Sequence, residues 1–450
     1  MAKKFFGNAS ISLDFMFYGI HVSWNAPLSV WSWISNSTLP KVHPFFHSSP
    51  KRAKLQGFKN VHAPVFGPEV TSFSCHQDEG VLLHCRVTSL PRGGKVFHSP
   101  SLMLLAKLAG QSHPTGMAEW IGHRQAGLLQ LLKLPRKRLP HHCTLRRILA
   151  QLEPELFEDV MGRYHRSRIG RFGLQEIVIS IDGKSLRGTI RRGEGRGVHL
   201  LAAYLPAAGL VLMEVAVDSK ENELVAAPKV LKSLDLQGVI VLGDALHTQR
   251  KISAQIVAAG GDYLWTAKGN QARTEWAIRR LFAEELVHLK RGQPLSAHCQ
   301  RYQSKLLKGH GRMERYTLLV SQQLNQSLDW PGLAQVFCIL HEVWHAQGQR
   351  KTREMVYGLT SLPPQRASPQ RLLSLKRGYW GIENGLHRRR DVALREDATR
   401  ATVGHTGHNL AILNNLAIAL SLASGHPFLP KAQRLFDAKP EQALRLIVSS

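Results

Sequence analysis

The sequence predicts an α/β protein with a mixed sheet, and two patterns that begin near residue 177 carry this prediction. Short β-branched and apolar runs recur at strand length, and segments with helical spacing separate the later ones. The chain has 450 residues, 43% of them hydrophobic and 20% charged. These values exclude a disordered or collagen-like chain and allow two or three domains, each with its own core.

Strands and helices follow one another in a definite order from residue 177. The run at 200–217 is broken by Pro206 and Gly209, so it is predicted to be a hairpin and not a membrane span. The predicted elements are strands at 177–181, 200–205, 210–217, 239–242 and 263–267, with helices at 222–236 and 249–259. The resulting order β-β-β-α-β-α-β is typical of a ribonuclease-H-like core.

Weaker patterns define the rest of the chain. Residues 1–95 lack periodicity and are predicted to be an extension without an assigned fold. Residues 96–172 are predicted to form a small helical domain, in which Thr144 caps a helix at 145–152. The catalytic domain is placed at 173–424, with a β-rich insertion at about 282–360, a helical region at 369–394 and a buried helix at 409–423. Residues 425–450 are predicted to be a C-terminal tail.

The charge balance points to a polyanionic partner. Lys and Arg number 59 against 32 Asp and Glu, a net charge of +27, so nucleic acid is the expected ligand. Five cations near the predicted helix at 145–152 form what we call the basic cluster: Arg136, Lys137, Arg138, Arg146 and Arg147. A solvated surface loop is the alternative interpretation of this cluster, and the overall charge favours DNA binding.

The cysteines indicate the compartment. Five scattered cysteines in a chain of this length do not form a disulfide framework, so a reducing cytoplasm is expected. The sequence offers no uninterrupted apolar run that would span a bilayer, so no membrane partner is expected. The adjacent pairs Cys75-His76 and His84-Cys85, and the run 141–143, match no common zinc spacing and are interpreted as chance neighbours.

Three acidic residues are candidates for metal-dependent chemistry. Asp182 and Asp244 each follow an apolar strand, where open α/β sheets place their sites. Glu383 lies in a predicted helix with His387 and Arg390 at i+4 and i+7, which would put all three on one face. Carboxylates suit Mg²⁺ or Mn²⁺, and a third acid would allow two metal ions to act together. A turn residue at each aspartate and an ordinary surface helix remain the alternatives.

Five motifs resemble the DDE transposases of ISAs-type insertion sequences, which include the H-repeat-associated proteins. The motifs are Asp182–Gly188, Gly243–Gln249, Gly261–Asn270, Gly309–Arg315 and Trp380–His387, the last followed by Arg395-Glu-Asp397. The resemblance covers about residues 98–424. It implies a ribonuclease-H-like fold with a β insertion before the last catalytic helix.

The resemblance also implies the chemistry. Asp182, Asp244 and Glu383 would be the DDE triad, which binds two Mg²⁺ ions, for which Mn²⁺ can substitute, and activates water or a 3′-hydroxyl for attack on DNA. The expected DNA contacts in these motifs are Lys184, Arg187, Lys268, Asn270, His387 and Arg390. Arg377 and Tyr379 lie six and four residues before Glu383, whereas the wider superfamily often has Tyr and Arg just before this glutamate. Arg390 lies seven residues after it, where the superfamily often has Lys, and is expected to take that basic role. The run Arg388-Arg389-Arg390 replaces an aromatic and apolar stretch.

These observations predict an insertion-sequence transposase that binds terminal inverted repeats and target DNA and cuts and rejoins strands, as a homo-oligomer in the synaptic complex. The resemblance also implies that it acts in the bacterial cytoplasm, in association with the nucleoid. A nuclease of the same fold and a DNA-binding protein that has lost catalysis are the alternatives. A serine-nucleophile mechanism is disfavoured, because neither Ser180 nor Ser185 has an identifiable base partner in the sequence.

Overall fold

The computed structural model describes residues 10–17, 20–27, 73–74, 86–88, 96–97, 99–132, 139–217, 222–309, 311–345 and 351–449. Contacts divide the chain into two units, one of residues 1–76 with 84–98 and one of residues 77–83 with 99–450. The first unit contains an antiparallel hairpin of β1 (Ser10–Phe17) and β2 (Ile20–Pro27) and a sheet of β3 (Phe73–Ser74), β4 (Arg86–Thr88) and β5 (Val96–Phe97). The pairs Cys75-His76 and His84-Cys85 lie outside the described residues.

The second unit is built on one sheet of ten strands. They are β6 (Val178–Ser185), β7 (His199–Leu205), β8 (Leu210–Val217), β9 (Ile240–Gly243), β10 (Asp262–Ala267), β11 (Cys299–Gln303), β12 (Leu307–Gly309), β13 (Arg312–Ser321), β14 (Gln335–His345) and β15 (Lys351–Thr360). The strand order is β11-β13-β14-β15-β10-β9-β6-β7-β8, and β12 pairs with β13.

The five strands β8-β7-β6-β9-β10 form a ribonuclease-H-like core. β6, β7 and β8 are antiparallel neighbours, while β9 and β10 run parallel to β6 and to each other. Gly209, at the turn between β7 and β8, has φ +69°, and a Cβ there would lie 2.2 Å from Leu422. Glycine is therefore needed both for the left-handed turn and for the close approach of the helix that carries Leu422. The predicted order of core elements is confirmed.

The predicted β-rich insertion is also found, and its strands extend the five-stranded core sheet beyond β10. β15 pairs antiparallel with β10, β14 with β15 and β13 with β14. A long helix at Ala272–Arg291 precedes these strands, so the strands begin at residue 299 and not at about 282. The insertion and the core thus share one hydrogen-bonded layer.

Helices surround this sheet. They are α1 (Ser99–Leu108), α2 (Pro114–His123), α3 (Gln125–Leu131), α4 (His142–Gln151), α5 (Pro154–Arg168), α6 (Glu223–Lys232), α7 (Arg250–Ala258), α8 (Ala272–Arg291), α9 (Pro369–Gly378), α10 (Thr406–Ala423), α11 (Leu429–Ala438) and α12 (Pro440–Ser449). No helix of the described ranges is long and apolar enough to cross a membrane.

The helical region before the core differs from the prediction at one cap. α4 begins at His142, and its N-cap is His141, whose Nδ1 accepts a hydrogen bond from the Cys143 amide at 3.4 Å. Thr144 therefore lies inside the first turn and does not cap the helix. The segment before α4 that holds Arg136, Lys137 and Arg138 is outside the described residues.

The buried helix α10 packs between the small helical region and the ten-stranded sheet. Asn409 Nδ2 donates to the carbonyls of Leu149 and Leu152 at 2.9 and 2.7 Å, which satisfies acceptors left free at the end of α4. The expected C-terminal tail is replaced by α11 and α12. Asp437 of α11 accepts a hydrogen bond from Trp120 Nε1 at 2.7 Å, so this segment packs on the helical region.

The helical region at 369–394 is not one regular helix. After α9, two short π-helical segments follow at Glu383–His387 and Arg389–Ala393. The wider π turn changes which side chains share a face, and π segments often occur at functional sites. The i, i+4, i+7 argument made for Glu383, His387 and Arg390 therefore does not hold for the whole segment.

Candidate active site

Asp182 lies in strand β6, and Asp244 directly follows the neighbouring strand β9. In the parallel pair β6–β9, Ile181 is opposite Gly243, and each aspartate is the next residue along its chain. β9 ends at Gly243, as predicted, but β6 continues to Ser185, so Asp182 lies within its strand. The strand extends because residues 180–185 also pair with β7. Its rigid backbone fixes the position of the first carboxylate.

Asp244 is held in an ionised state by its own loop. Its Oδ1 accepts hydrogen bonds from the Leu246 amide at 2.9 Å, the His247 amide at 3.3 Å and His247 Nδ1 at 2.9 Å. Burial acts to raise the pKa of Asp244, but the hydrogen bonds and charge of His247 outweigh burial and hold that pKa below its usual value.

Asp182 has a different environment. Burial, together with the nearby carboxylates of Glu223 and Asp244, raises the pKa of Asp182 to about 6, and a hydrogen bond from Tyr379 opposes the shift. The Tyr379 hydroxyl donates to Asp182 Oδ1 at 3.1 Å. Negative charge is therefore concentrated at this edge of the sheet, and a bound cation would relieve it.

The π-helical segment brings Glu383 and His387 to the same place. His387 Nδ1 lies 3.4 Å from Glu383 Oε2 and 3.5 Å from Asp182 Oδ2. One ligand atom from each of Asp182, Glu383 and His387 falls within 4.8 Å of the others. Burial, with Arg390 and Lys184 nearby, lowers the pKa of His387 to about 3, so its ring is neutral. Its Nε2 is buried without a hydrogen-bond partner among the described residues.

These residues fit a divalent cation that prefers oxygen ligands. Two half-buried or exposed carboxylates and one neutral imidazole lie close enough together to bind one ion, and a third carboxylate, Asp244, directly follows the neighbouring strand β9. Mg²⁺ and Mn²⁺ take such donors. Two other groups have ligand atoms equally close: the buried Glu158, Glu214 and His408, and the run 141–143, whose His141 already caps α4.

Lys184 and Arg390 are buried anchors in this structure, which corrects their assignment as DNA contacts. Lys184 is 8% exposed, and its Nζ binds both Asp391 oxygens at 2.7 and 2.8 Å. Arg390 is fully buried and pairs with Glu214 at 2.6 Å and Glu396 at 2.8 Å. The prediction that Arg390 reaches a phosphate is wrong, because the π geometry turns its side chain into the core. Both cations instead tie the segment after Glu383 to the sheet.

The remaining expected DNA contacts have mixed positions. Arg187, Lys268 and Asn270 are exposed, whereas His387 is buried between the acids. Asn270 Nδ2 donates to the Ala245 carbonyl at 2.6 Å, which places it beside the loop of Asp244. Within the basic cluster, Arg146 and Arg147 are exposed on α4.

Lys376 is a cation near Asp182 and Asp244 that was not predicted from the sequence. Burial and the neighbouring Lys268 lower the pKa of Lys376 to about 8, while Asp244 opposes that shift. Lys376 Nζ stands 5.2 Å from the centre of the Tyr379 ring, the same tyrosine that donates to Asp182.

Glu223, His199 and His247 lie behind the acids and had no predicted role. Glu223 Oε1 lies 2.9 Å from His199 Nε2, and Glu223 Oε2 lies 3.4 Å from His247 Nε2. His199 Nδ1 is in turn 2.8 Å from Ser185 Oγ, so Ser185 does have a histidine partner, contrary to the prediction. The only signal in the sequence was the placement of Glu223 just after the capping residue Asn222 and of His247 three residues after Asp244.

Two protein families match this chain, one over the region of the ten-stranded sheet and one over the helical region before it. The family described as Transposase DDE domain matches residues 173–420, and the one described as DDE_Tnp_1-associated matches residues 100–165. A Xanthobacter autotrophicus protein named "Uncharacterized protein in dhlA 3'region" is 34% identical over 237 residues, which cover 52% of this chain and 76% of that protein. The Escherichia coli K12 protein named "H repeat-associated putative transposase YbfD" is 31% identical over 198 residues, covering 43% and 72%.

One solved structure is similar over much of the chain. It is the cryo-EM structure of a piggyBac transposase synaptic complex with hairpin DNA, with a TM-score of 0.34, 11% identity, and coverage of 77% of this chain and 72% of that one. The strand order and directions given above, and not this likeness, identify the ribonuclease-H-like core.

Proposed function

The chain belongs to the Transposase DDE domain family, whose match spans residues 173–420, and on this premise we propose that it is an insertion-sequence transposase. In this proposal it binds the terminal inverted repeats of its element and target DNA, and it cuts and joins DNA strands with the acids Asp182, Asp244 and Glu383. Two observations carry the proposal: Asp182 and Asp244 follow a paired position of the parallel strands β6 and β9, and the π-helical segment brings Glu383 close to Asp182.

The three acids would hold two Mg²⁺ ions, with Mn²⁺ as a substitute. Bound ions of this kind supply charge stabilisation for an in-line displacement at phosphorus and lower the pKa of an attacking water or hydroxyl. His387, neutral and within ligand distance of Asp182 and Glu383, is a further donor that Mn²⁺ would accept more readily than Mg²⁺.

The protein's own side chains prepare this site. Asp244 is kept ionised by hydrogen bonds from its own loop. Tyr379 donates to Asp182 Oδ1 and so fixes one of its oxygens, leaving Oδ2 facing His387. Lys184, through Asp391, holds the segment that carries Glu383 against β6. These contacts pre-position the ligands, which is the main service a protein provides to phosphoryl transfer.

DNA binding is proposed for exposed cationic surface. Phosphates would contact two groups of cations: exposed ones near Asp182 and Asp244, such as Lys268, and those of the basic cluster. The net charge of +27 is consistent with this. Synapsis of two element ends calls for more than one copy of the chain, so a homo-oligomer is part of the proposal.

A strand-transfer assay on DNA that carries the element ends tests this function. Asp182→Asn, Asp244→Asn and Glu383→Gln are each expected to abolish Mg²⁺-dependent cleavage while end binding, measured by gel shift, stays near the wild-type level. Glu194→Gln serves as the control and should cleave normally, because Glu194 is an exposed acid that pairs with the exposed Arg191.

The outcomes of this assay separate the alternatives. Cleavage without joining would identify a nuclease of the same fold, and end binding without cleavage by the wild-type protein would identify a DNA-binding protein that has lost catalysis. Near-normal cleavage by any one of the three acid variants would remove that residue from the triad.

A further inference from the structure

Glu223 is a fourth carboxylate at the catalytic edge, and it is not one of the three acids of the triad. It is the first residue of α6, directly after the N-cap Asn222. Its side chain is only 17% exposed. A carboxylate this far removed from water requires partners, and the structure supplies two imidazole rings.

These contacts form a continuous line of side chains that ends at a catalytic acid. Glu223 Oε1 contacts His199 Nε2 at 2.9 Å, and Glu223 Oε2 contacts His247 Nε2 at 3.4 Å. The other nitrogen of His247, Nδ1, is 2.9 Å from Asp244 Oδ1. His247 is completely buried, its Nδ1 is hydrogen-bonded to Asp244, and Glu223 Oε2 approaches its Nε2 at 3.4 Å without forming a hydrogen bond.

The backbone of β6 leaves room for this carboxylate. A Cβ at Gly183 would lie 2.3 Å from Glu223 Oε1 and 2.7 Å from His199 Nε2. The glycine that follows Asp182 therefore permits Glu223 to approach the sheet at the level of the two aspartates. Any other residue at 183 would displace the carboxylate from its position between the histidines.

From this arrangement we propose that Glu223 is a positioning residue of the active site, which holds the His247 ring against Asp244 and so fixes the carboxylate of Asp244 for metal binding. The inference rests on the proposed function, since it assumes that Asp244 binds the ion. Glu223 acts through His247 and does not itself touch the ion. Residues that orient a ligand in this way commonly change metal affinity by about 10- to 100-fold when they are replaced.

The experiment measures Mn²⁺ binding to the full chain without DNA, by following the electron paramagnetic resonance signal of free Mn²⁺ during a titration. Glu223→Ala is expected to weaken binding by about 10- to 100-fold. Glu223→Gln keeps an acceptor oxygen for His199 and nearly the same volume, so its affinity should fall between those of the wild type and the alanine variant. Thermal unfolding of each variant checks that the fold is retained.

A matched control distinguishes positioning from a general loss of a buried acid. Glu314 on β13 is 16% exposed, accepts a hydrogen bond from Tyr316 at 2.9 Å and lies 3.3 Å from His341. Glu314→Gln therefore removes a similar carboxylate in a similar environment away from the three acids. Its Mn²⁺ affinity should equal that of the wild type.

A double-mutant cycle tests whether Glu223 acts through His247. His247→Gln alone should weaken Mn²⁺ binding, and adding Glu223→Ala to it should cause no further loss, because the two residues act in series. Fully additive losses would show that Glu223 contacts the ion directly and would overturn the proposal.

Two further outcomes separate this proposal from the proposed function. Wild-type Mn²⁺ affinity in Glu223→Ala, together with a large loss in Asp244→Asn, would refute the role of Glu223 and leave the function intact. Wild-type affinity in Asp244→Asn would instead refute the metal site itself. If the alanine variant is unfolded at the assay temperature, Glu223→Gln decides, and wild-type affinity in that variant refutes the proposal.

Discussion

Replacing Arg390 with methionine tests the assignment of this cation to the core. Methionine keeps most of the side-chain volume, so the change removes charge and hydrogen bonds more than packing. Arg390 is fully buried, and its partners Glu214 and Glu396 are almost completely buried as well. The variant therefore leaves two carboxylates in the interior without their cation.

The size of the effect follows from that burial. Removing one partner of a buried ion pair costs about 3–5 kcal/mol. With an unfolding entropy of about 2.1 cal/mol/K per residue over roughly 350 residues, this corresponds to a drop in Tm of about 4–7 °C. The exposed pair Arg163–Asp159 has side chains that are 53% and 51% exposed. Arg163→Met should therefore cost no more than about 1 kcal/mol.

Thermal unfolding and DNA binding are measured on the same preparations. The expected result for Arg390→Met is a clear drop in Tm, with the salt dependence of DNA binding unchanged for the protein that remains folded. A Tm equal to that of Arg163→Met, combined with a reduced salt dependence, would refute the reasoning and return Arg390 to the DNA surface.

Three other predictions concern acid stability, DNA binding and the N-terminal unit. Burial lowers the pKa of His165 to about 4, and its Nδ1 contacts the Val211 carbonyl at 2.6 Å. The folded-state pKa of His165 is below its unfolded value. The contribution of His165 to the free energy of unfolding is therefore fully present above about pH 6.5, and about 3 kcal/mol of it is lost as the pH drops to 4. His165→Asn should lack this part of the pH dependence in urea unfolding, and an unchanged slope would contradict it. Neutralising the basic cluster should weaken DNA binding and reduce the slope of log K against log salt by about 0.9 for each phosphate that the protein no longer neutralises; an unchanged slope would place the DNA on another surface. Deletion to about residue 95 should leave cooperative unfolding and Mg²⁺-dependent cleavage intact, because the described core strands and the three acids all lie downstream, and loss of cooperativity on truncation would show that the extension is needed.

Local patterns sufficed for the core because its strands are continuous apolar runs. Residues 239–242 and 263–267 are buried along their whole length in the structure, as a central parallel strand must be. The adjacency of Asp182 and Asp244 followed from the strand order alone. The turn at Gly209 was equally local, because the residue types of a tight turn are set within four positions.

Contacts between distant segments could not be predicted in the same way. Lys184 is buried because Asp391, 207 residues away, reaches it. The fate of Arg390 depended on π geometry, which helical spacing at 3.6 residues per turn does not reveal. The Glu223 network joins residues of β7, α6 and the loop after β9, and periodicity within any one of these segments carries no sign of it.

The two π-helical segments make the site sensitive to the number of residues as well as to their type. Each π turn closes its hydrogen bond over five residues where an α turn uses four, so each contains one surplus residue. Arg390 is tied to Glu214 of β8 by a buried ion pair, and Asp391 is tied to Lys184 of β6 by a partly exposed one. Loss of one codon between 383 and 390 would let the backbone relax to an α-helix and rotate Glu383 by about 100° around the axis. Such a protein would keep its fold, but Glu383 would no longer face Asp182. In the proposed function, deletion of one codon would therefore inactivate the transposase.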